Sequence, residues 1–294
     1  MIQSQNEKAL NGFFLAALLL FSIFCVVPYM LVLAGSLTYE GELIKSGLRL
    51  IPTTWSTDAY KLLFSDFGRV ITGYRNTVFV TIVGTAISLF VNSMLAYTLS
   101  KRCCKYRNAL SFYCYFTMLF SGGIVPWYIV CVRYLGLRNS IWALILPYVA
   151  NAWYMFLLRN YFKSLPEEIS ESATIDGANE LRIFFTIILP LSLPSLASVG
   201  LFVALTYWND WWLGIMLTEE ARLMPLQLLL RSIVSNLQFM TGENASRILG
   251  ATTRLPSESI KYAATIITIG PIMLLYPFIQ KYFVKGLMVG AIKG

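Results

Sequence analysis

An all-α integral membrane protein with six transmembrane helices is the fold class that the sequence predicts, and three observations carry it. Only 13% of the 294 residues are charged while 57% are hydrophobic, and a soluble chain would carry roughly a quarter charged. Six apolar stretches, 13–34, 77–99, 110–132, 141–162, 184–207 and 263–283, each supply the ~20 residues that cross a hydrocarbon core. The middle of every stretch lacks acidic and basic side chains. Backbone N–H and C=O groups find no water in lipid, so such stretches close their hydrogen bonds internally as helices.

The first apolar run, 12–35, is longer than the about 7–15 residue apolar core of a secretory signal, so it reads as a retained span. The second span is followed by a short connection, 101–107, that holds Lys101, Arg102, Lys105 and Arg107 and no acid. Short basic connections stay on the cytoplasmic side, which places this one, both termini and the connection between the fourth and fifth spans inside. The connections 36–76, 133–140 and 208–262 then face outward. Basic residues divide almost evenly between the two sides, but long loops cross with little regard to charge, so the short connection decides. Gly122, Gly123 and Pro126 interrupt the third span, Pro190 and Pro194 the fifth, and Pro271 and Pro277 the sixth. Such breaks are expected to kink helices that line a cavity.

Between the fourth and fifth spans the stretch 164–183 changes character. Pro166 suits the first turn of a helix, where its missing N–H costs nothing. Glu167 and Glu168 complement the positive end of the helix dipole, and Gly177 supplies a left-handed stop. A helix of about three turns results, lying at the membrane surface, with Ile169, Ser172, Ala173 and Asp176 near one face. A helix that merely rested on anionic lipid would not carry Glu167, Glu168, Glu171 and Asp176 together, because the headgroups would repel them. Its small residues instead leave room for a partner surface.

Several function classes fall away. Histidine is absent, which removes the commonest general base and the commonest ligand of catalytic zinc. No paired carboxylates lie inside a span, so neither a catalytic residue nor a metal site is expected. Cys25, Cys103, Cys104, Cys114 and Cys131 contain no C-x-x-C pair and read as small core residues. An ion-driven secondary transporter would carry ionisable residues within its spans. The excess of 23 Lys and Arg over 15 Asp and Glu reads as membrane-anchoring charge, without the basic and aromatic interleaving of a nucleic-acid module. No G-x-x-x-x-G-K-[ST] loop is present, so ATP and its magnesium would be bound by a partner and not by this chain.

A solute path is sought where aromatic faces meet hydrogen-bonding groups, the combination that suits a sugar. The run YWNDWW at 207–212 offers this at Trp208, Asn209 and Asp210. Its rings serve equally as an interfacial aromatic belt, so Asn209 and Asp210 are the better candidates. Asn151 and Tyr154 in the fourth span and Asn92 in the second are polar positions within spans, where a lone polar residue serves equally as glue between helices.

Glu171-Ser172-Ala173, then Asp176-Gly177-Ala178, then Phe184, Ile187 and Leu189-Pro190 resemble the E-A-A…D-G-A…F…I-x-L-P signature of permease subunits in ATP-binding-cassette importers, with Ser172 a small-for-small departure. The tail 285–294, KGLMVGAIKG, is similar to the tails of the maltose-type, MalG-like branch. The stretches 120–126, 141–147 and 276–286 resemble its LplC-like subgroup, linked to uptake of oligosaccharides released from complex polysaccharides. The resemblance implies a type I importer permease, one domain over 1–294 whose spans form half of a translocation path beside a second homologous permease. The segment 164–183 would be a coupling helix that docks into a cytoplasmic ATPase dimer through Glu171, Ser172, Ala173, Asp176, Gly177 and Ala178, with Glu171 the charged anchor. The tail from 284, through Gly290, Lys293 and Gly294, would contact the ATPases, and the outer loop 208–262 would reach an extracytoplasmic sugar-binding protein. The chain itself would be no enzyme and would sit in a bacterial-type cytoplasmic membrane. Its solute would be an oligosaccharide, a smaller sugar or a glycerol-phosphate-like solute being the alternative.

Overall fold

The computed structural model of the chain describes residues 5–65, 67–241, 258–273 and 280. Among them every regular element is a helix, and the one strand-like feature is an isolated antiparallel bridge between Thr38 and Trp55. Two helices are long and apolar enough to cross a membrane by themselves, Leu10–Ser36 and Phe67–Ser100, and three bent pairs bring the count to as many as five. The second of these begins before the expected 77, because an apolar pattern stops at Arg69 and Arg75 while backbone hydrogen bonding carries on through them.

The third stretch is not one straight crossing. Arg107–Leu119 and Ile124–Tyr134 meet at 113°, and Gly123 at the join has φ +87°, a conformation that side chains beyond glycine resist. The fifth stretch bends by 82° between Glu180–Leu191 and Leu193–Trp208. Pro190 and Pro194 flank that bend, each removing a helical N–H, as expected. The fourth stretch carried no predicted interruption, yet Ile141–Val149 and Ala152–Ser164 are set at 49°. Asn151 makes this break, since its Oδ1 accepts the N–H groups of Trp153 (2.9 Å) and Tyr154 (3.4 Å) and so starts a new helix. The sixth stretch is helical over 258–273, starting before the expected 263; 274–279, with Pro277, lie outside the described residues.

The chain divides into two compact units, Met1–Phe67 with Leu230–Pro271, and Gly68–Leu229 with Ile272–Gly294. In the first unit the N-terminal helix buries none of its apolar window, with Phe13 and Phe24 69% and 75% exposed. A helix that is apolar all round and unburied is built for lipid. Beyond it, the buried carboxylate of Glu40 accepts the N–H groups of Glu258 and Ser259 at 2.9 Å each and the Ser259 hydroxyl at 2.8 Å. It therefore caps the first turn of helix 258–273, whose N–H groups have no helical acceptor. Glu42 closes the neighbouring loop on the N–H groups of Thr53 (3.0 Å) and Thr54 (2.7 Å), and its bonds with Thr53 above all hold its carboxyl down at about 2.

The second unit holds the larger core, built around Leu99, Leu144, Met155, Leu158, Phe184 and Leu213. Helix Phe67–Ser100 packs there at glycine distance. A Cβ on Gly84 would stand 2.7 Å from the Tyr207 ring, and that ring is fixed because its hydroxyl donates to the Ile145 carbonyl at 2.9 Å.

Candidate functional site

Helix Glu167–Ile175 starts after Pro166, which stands at the cap in extended conformation and not inside the first turn as expected. Its far end is the predicted glycine stop. Gly177 has φ +84°, its N–H donates to the Thr174 carbonyl, and the Ala178 N–H donates to the Ala173 carbonyl, both at 3.0 Å. This pair of bonds is a Schellman cap, which requires the left-handed residue.

The six expected docking residues divide between two faces. Ala173 and Ala178 pack on the core of the second unit, while Glu171, Ser172, Asp176 and Gly177 are exposed. The Ser172 hydroxyl donates back to the Glu168 carbonyl at 2.9 Å, so its role at the surface is one of shape. Glu171 forms no ion pair among the described residues. Ile175, which the motif passed over, is 87% exposed; an apolar residue in the last turn of an acidic, surface-lying helix was the available signal.

Two tethers hold this segment to helix Phe67–Ser100 and the basic connection that follows it. Arg102 Nε lies 2.9 Å from Glu167 Oε1. The buried Tyr97 hydroxyl donates to Glu180 Oε2 at 2.6 Å, and the Lys101 ammonium stands 3.5 Å from the same oxygen. Glu180 opens a further helical turn capped by Asn179, whose Oδ1 accepts the Arg182 N–H at 2.8 Å. Sequence reasoning named neither Tyr97 nor Glu180. Between the surface helix and the basic connection lies a hollow of about 880 Å³ whose walls include Lys101, Arg102, Arg107, Lys163, Glu167 and Glu171.

The expected path residues fare differently from one another. Tyr154 donates to or accepts from Thr206 at 2.9 Å, and the two line a hollow of about 370 Å³ with Trp153, Phe202 and Leu205. Asn151 spends its Oδ1 on the helix cap. Trp208 is buried, 6% exposed. Asn209 is exposed, its Oδ1 accepting from Gln227 Nε2 at 3.2 Å. Asp210 accepts the Tyr148 hydroxyl at 3.0 Å and the Leu213 N–H at 3.1 Å, so it caps the following helix; burial raises its carboxyl above the usual carboxylate range, against the lowering effect of those bonds. Asn92 acts as glue: its Nδ2 donates to the carbonyls of Val149 (2.8 Å) and Ser88 (2.7 Å), and its Oδ1 accepts the Asn151 N–H at 3.1 Å. The expected outer loop is largely helical where described, in Trp212–Leu217 and Leu226–Thr241. Residues 242–257 lie outside the described residues, as do Gly290, Lys293 and Gly294 of the tail.

An all-helical membrane chain with broken spans and a capped surface helix is the architecture of a transport permease, and the chain belongs to the family described as "Binding-protein-dependent transport system inner membrane component", whose model matches residues 13–289. It is 44% identical over 277 residues to the "Polygalacturonan/rhamnogalacturonan transport system permease protein YtcP" of Bacillus subtilis (strain 168), covering 94% of this chain and 96% of that protein. It is 40% identical over 269 residues to "Protein LplC" of the same organism, covering 92% and 90%. Its fold matches a chain in the crystal structure of a bacterial ABC transporter involved in the import of the acidic polysaccharide alginate, with TM-score 0.80, 28% identity, and coverage of 96% of this chain and 99% of that one. The protein is thus an ABC importer permease subunit and not an enzyme, and its family implies an ATPase and a substrate-binding protein as separate partners.

Proposed function

We propose that this chain forms half of a translocation path for an oligosaccharide, uronate-bearing in its substrate class, and couples that path to a separate ATPase through helix Glu167–Ile175. The single observation behind the solute is the 44% identity to a permease named for polygalacturonan and rhamnogalacturonan transport. A second, homologous permease would supply the other half, and an extracytoplasmic binding protein would deliver the sugar. Both termini and the surface helix would lie on the cytoplasmic side, where the short basic connection 101–107 belongs. The hollow at Trp153, Tyr154 and Thr206 supports a place on the path wall, because an indole face beside two hydroxyls matches the C–H patches and hydroxyls of a sugar ring.

The docking reading draws its support from Glu171, which forms no ion pair among the described residues, and from the projecting Ile175, an ionic and an apolar anchor on one short helix. Ala173 and Ala178 set that helix on the core, Gly177 turns the chain back, and Ser172 and Asp176 fill out the presented face. ATP and magnesium would be held by the ATPase dimer, whose closure would press on this helix, and the tail with Gly290, Lys293 and Gly294 would reach toward the same dimer. The test is to co-express the importer and purify it through this chain. Glu171→Ala strands a partner cation in a partly desolvated cleft at about 2–5 kcal/mol, roughly 30-fold or more in association. Loss of the ATPase and of oligogalacturonide uptake is expected, with Glu167→Ala close to wild type. Full ATPase retention by Glu171→Ala would refute the docking role, and uptake of maltooligosaccharides in place of oligogalacturonides would refute the solute.

A further inference from the structure

The cations beside the 880 Å³ hollow are not all paired among the described residues. Lys101 is met by Glu180 and Arg102 by Glu167. Three others converge with no such partner. Helices Arg107–Leu119 and Ala152–Ser164 pack side by side, which brings the start of one against the end of the other. Arg107 and Lys163 line the same hollow, and the Lys163 ammonium lies within electrostatic reach of both Arg159 and Arg107. Arg159 is fixed by its Nε–H bond to the Leu99 carbonyl at 3.0 Å and by the Phe156 ring, 5.8 Å from its guanidinium carbon, contacts that hold it without neutralising it. Arg107 and Arg159 are half-buried. None of the three forms an ion pair among the described residues, and Glu171, which also lines the hollow, pairs with none of them.

Like charges brought together repel, and a half-buried charge is costly unless an opposite charge meets it. We infer that an external anion completes the cluster, namely the phosphate of an anionic phospholipid held by Arg107, Arg159 and Lys163. Two guanidinium forks and an ammonium match phosphate oxygens in geometry and charge. The lipid source follows from what adjoins the cations: from the residue beside Arg107 onward, Tyr106, Leu110 and Tyr113 form an exposed stripe at helical spacing, 64%, 42% and 67% exposed. That apolar side faces hydrocarbon in a membrane protein, so an acyl chain lies along it while the headgroup reaches the cations at its start. A zwitterionic lipid brings its own cation and matches three positive charges poorly, and basic pockets at span ends are known seats of anionic headgroups. The inference requires only that the chain is membrane-embedded, and it stands or falls apart from the docking of Glu171.

The test uses the full chain, purified in mild detergent with whatever subunits accompany it and titrated with phosphatidylglycerol, phosphatidylcholine or inorganic phosphate. Bound lipid is counted by native mass spectrometry. Phosphatidylglycerol is expected to be retained and phosphatidylcholine lost. Arg107→Gln with Lys163→Gln should weaken retention at least tenfold. Arg159→Lys, which keeps the charge and loses the fork, should fall between, and Arg102→Gln, whose charge Glu167 already meets, should change nothing. Equal retention by the double variant overturns the inference, and so does displacement of the lipid by inorganic phosphate at equal concentration, which would mark a simple phosphate site. Loss of accompanying subunits from the double variant, with its lipid intact, shows that the cations serve a protein partner and equally overturns it. Should the double variant not assemble, the phosphatidylglycerol preference of the wild type and the Arg159→Lys shift decide.

Discussion

The surface helix Glu167–Ile175 and the break at Ala150–Asn151 use polar residues in opposite ways. At the break, Asn92 from another helix is engaged through both its Nδ2 and its Oδ1, satisfying the Val149 carbonyl and the Asn151 N–H that the interrupted helix releases. On the surface helix, the carboxylate of Glu171 meets no cation among the described residues and Ile175 stands out into the surroundings. The solvent explains the difference. Inside a span no water serves a freed backbone group, so the protein must. At the surface the backbone is already bonded along the helix and water attends the side chains, which stay available to a partner. A polar residue in a span therefore reports on the fold, and an unpartnered side chain on a surface helix reports on assembly.

The largest effect is expected where that contrast is sharpest, at Asn92. Asn92→Leu takes the acceptor from the part-buried Asn151 N–H and removes the bonds that Asn92 donates to the Ser88 and Val149 carbonyls, three bonds worth about 1 kcal/mol each, so the loss is about 2–3 kcal/mol. The Val149 carbonyl keeps one donor, the Ser88 hydroxyl at 2.9 Å, which limits the loss. The midpoint of thermal unfolding in detergent should fall clearly for this variant, while Glu171→Ala leaves it in place. An unchanged midpoint for Asn92→Leu would break the comparison, because the residue would then contribute nothing that water or its neighbours do not.

The same contrast accounts for what was legible in the sequence. Helix Glu167–Ile175 with its glycine stop was readable because each determinant, Glu167, Glu168 and Gly177, lies in the element it shapes or within two residues of its end. The bend at Ser192 was readable for the same reason, with Pro190 and Pro194 beside it. The break in the fourth stretch was not, since it carries no glycine at the join and its other half is Asn92, supplied from a different helix. Tyr97 and Glu180 likewise meet from distant positions. The burial of Trp208 was not legible because composition cannot tell an interfacial ring from a buried one, nor was the bond from Tyr148 to Asp210, because the two lie in different stretches. Local chemistry fixes caps and stops, and only tertiary packing decides which polar groups are already spent.

Ile175 sharpens the comparison at intermediate size. Fully burying an aliphatic side chain stabilises an association by about 1.5–3 kcal/mol, so Ile175→Ala should weaken ATPase retention roughly tenfold. The unfolding midpoint of the permease should not move, because the side chain is 87% exposed and supports no packing of its own. Ile175→Met, which keeps apolar bulk, should recover most of the retention. Equal weakening by both substitutions would point to helix shape as the cause and remove Ile175 from the docking face.

The smallest effect belongs to Arg102 and Glu167, which lie at the border between the two regimes. Their ion pair ties the basic connection to the surface helix at 2.9 Å, yet the side chains are 80% and 58% exposed. Exposed pairs contribute about 0–1 kcal/mol, since water screens the attraction and both long side chains lose freedom in holding it. Exchanging the charges, Arg102→Glu with Glu167→Arg, should therefore leave the unfolding midpoint and ATPase retention within error of wild type, and each single substitution should do little more. Tyr97→Phe is the informative contrast, because it removes a hydrogen bond to Glu180 from a buried hydroxyl, and it should lower the midpoint where the charge exchange does not. If the exchange proves as costly as Tyr97→Phe, the pair is shielded from water in the assembled importer, and this part of the surface helix is covered by a partner.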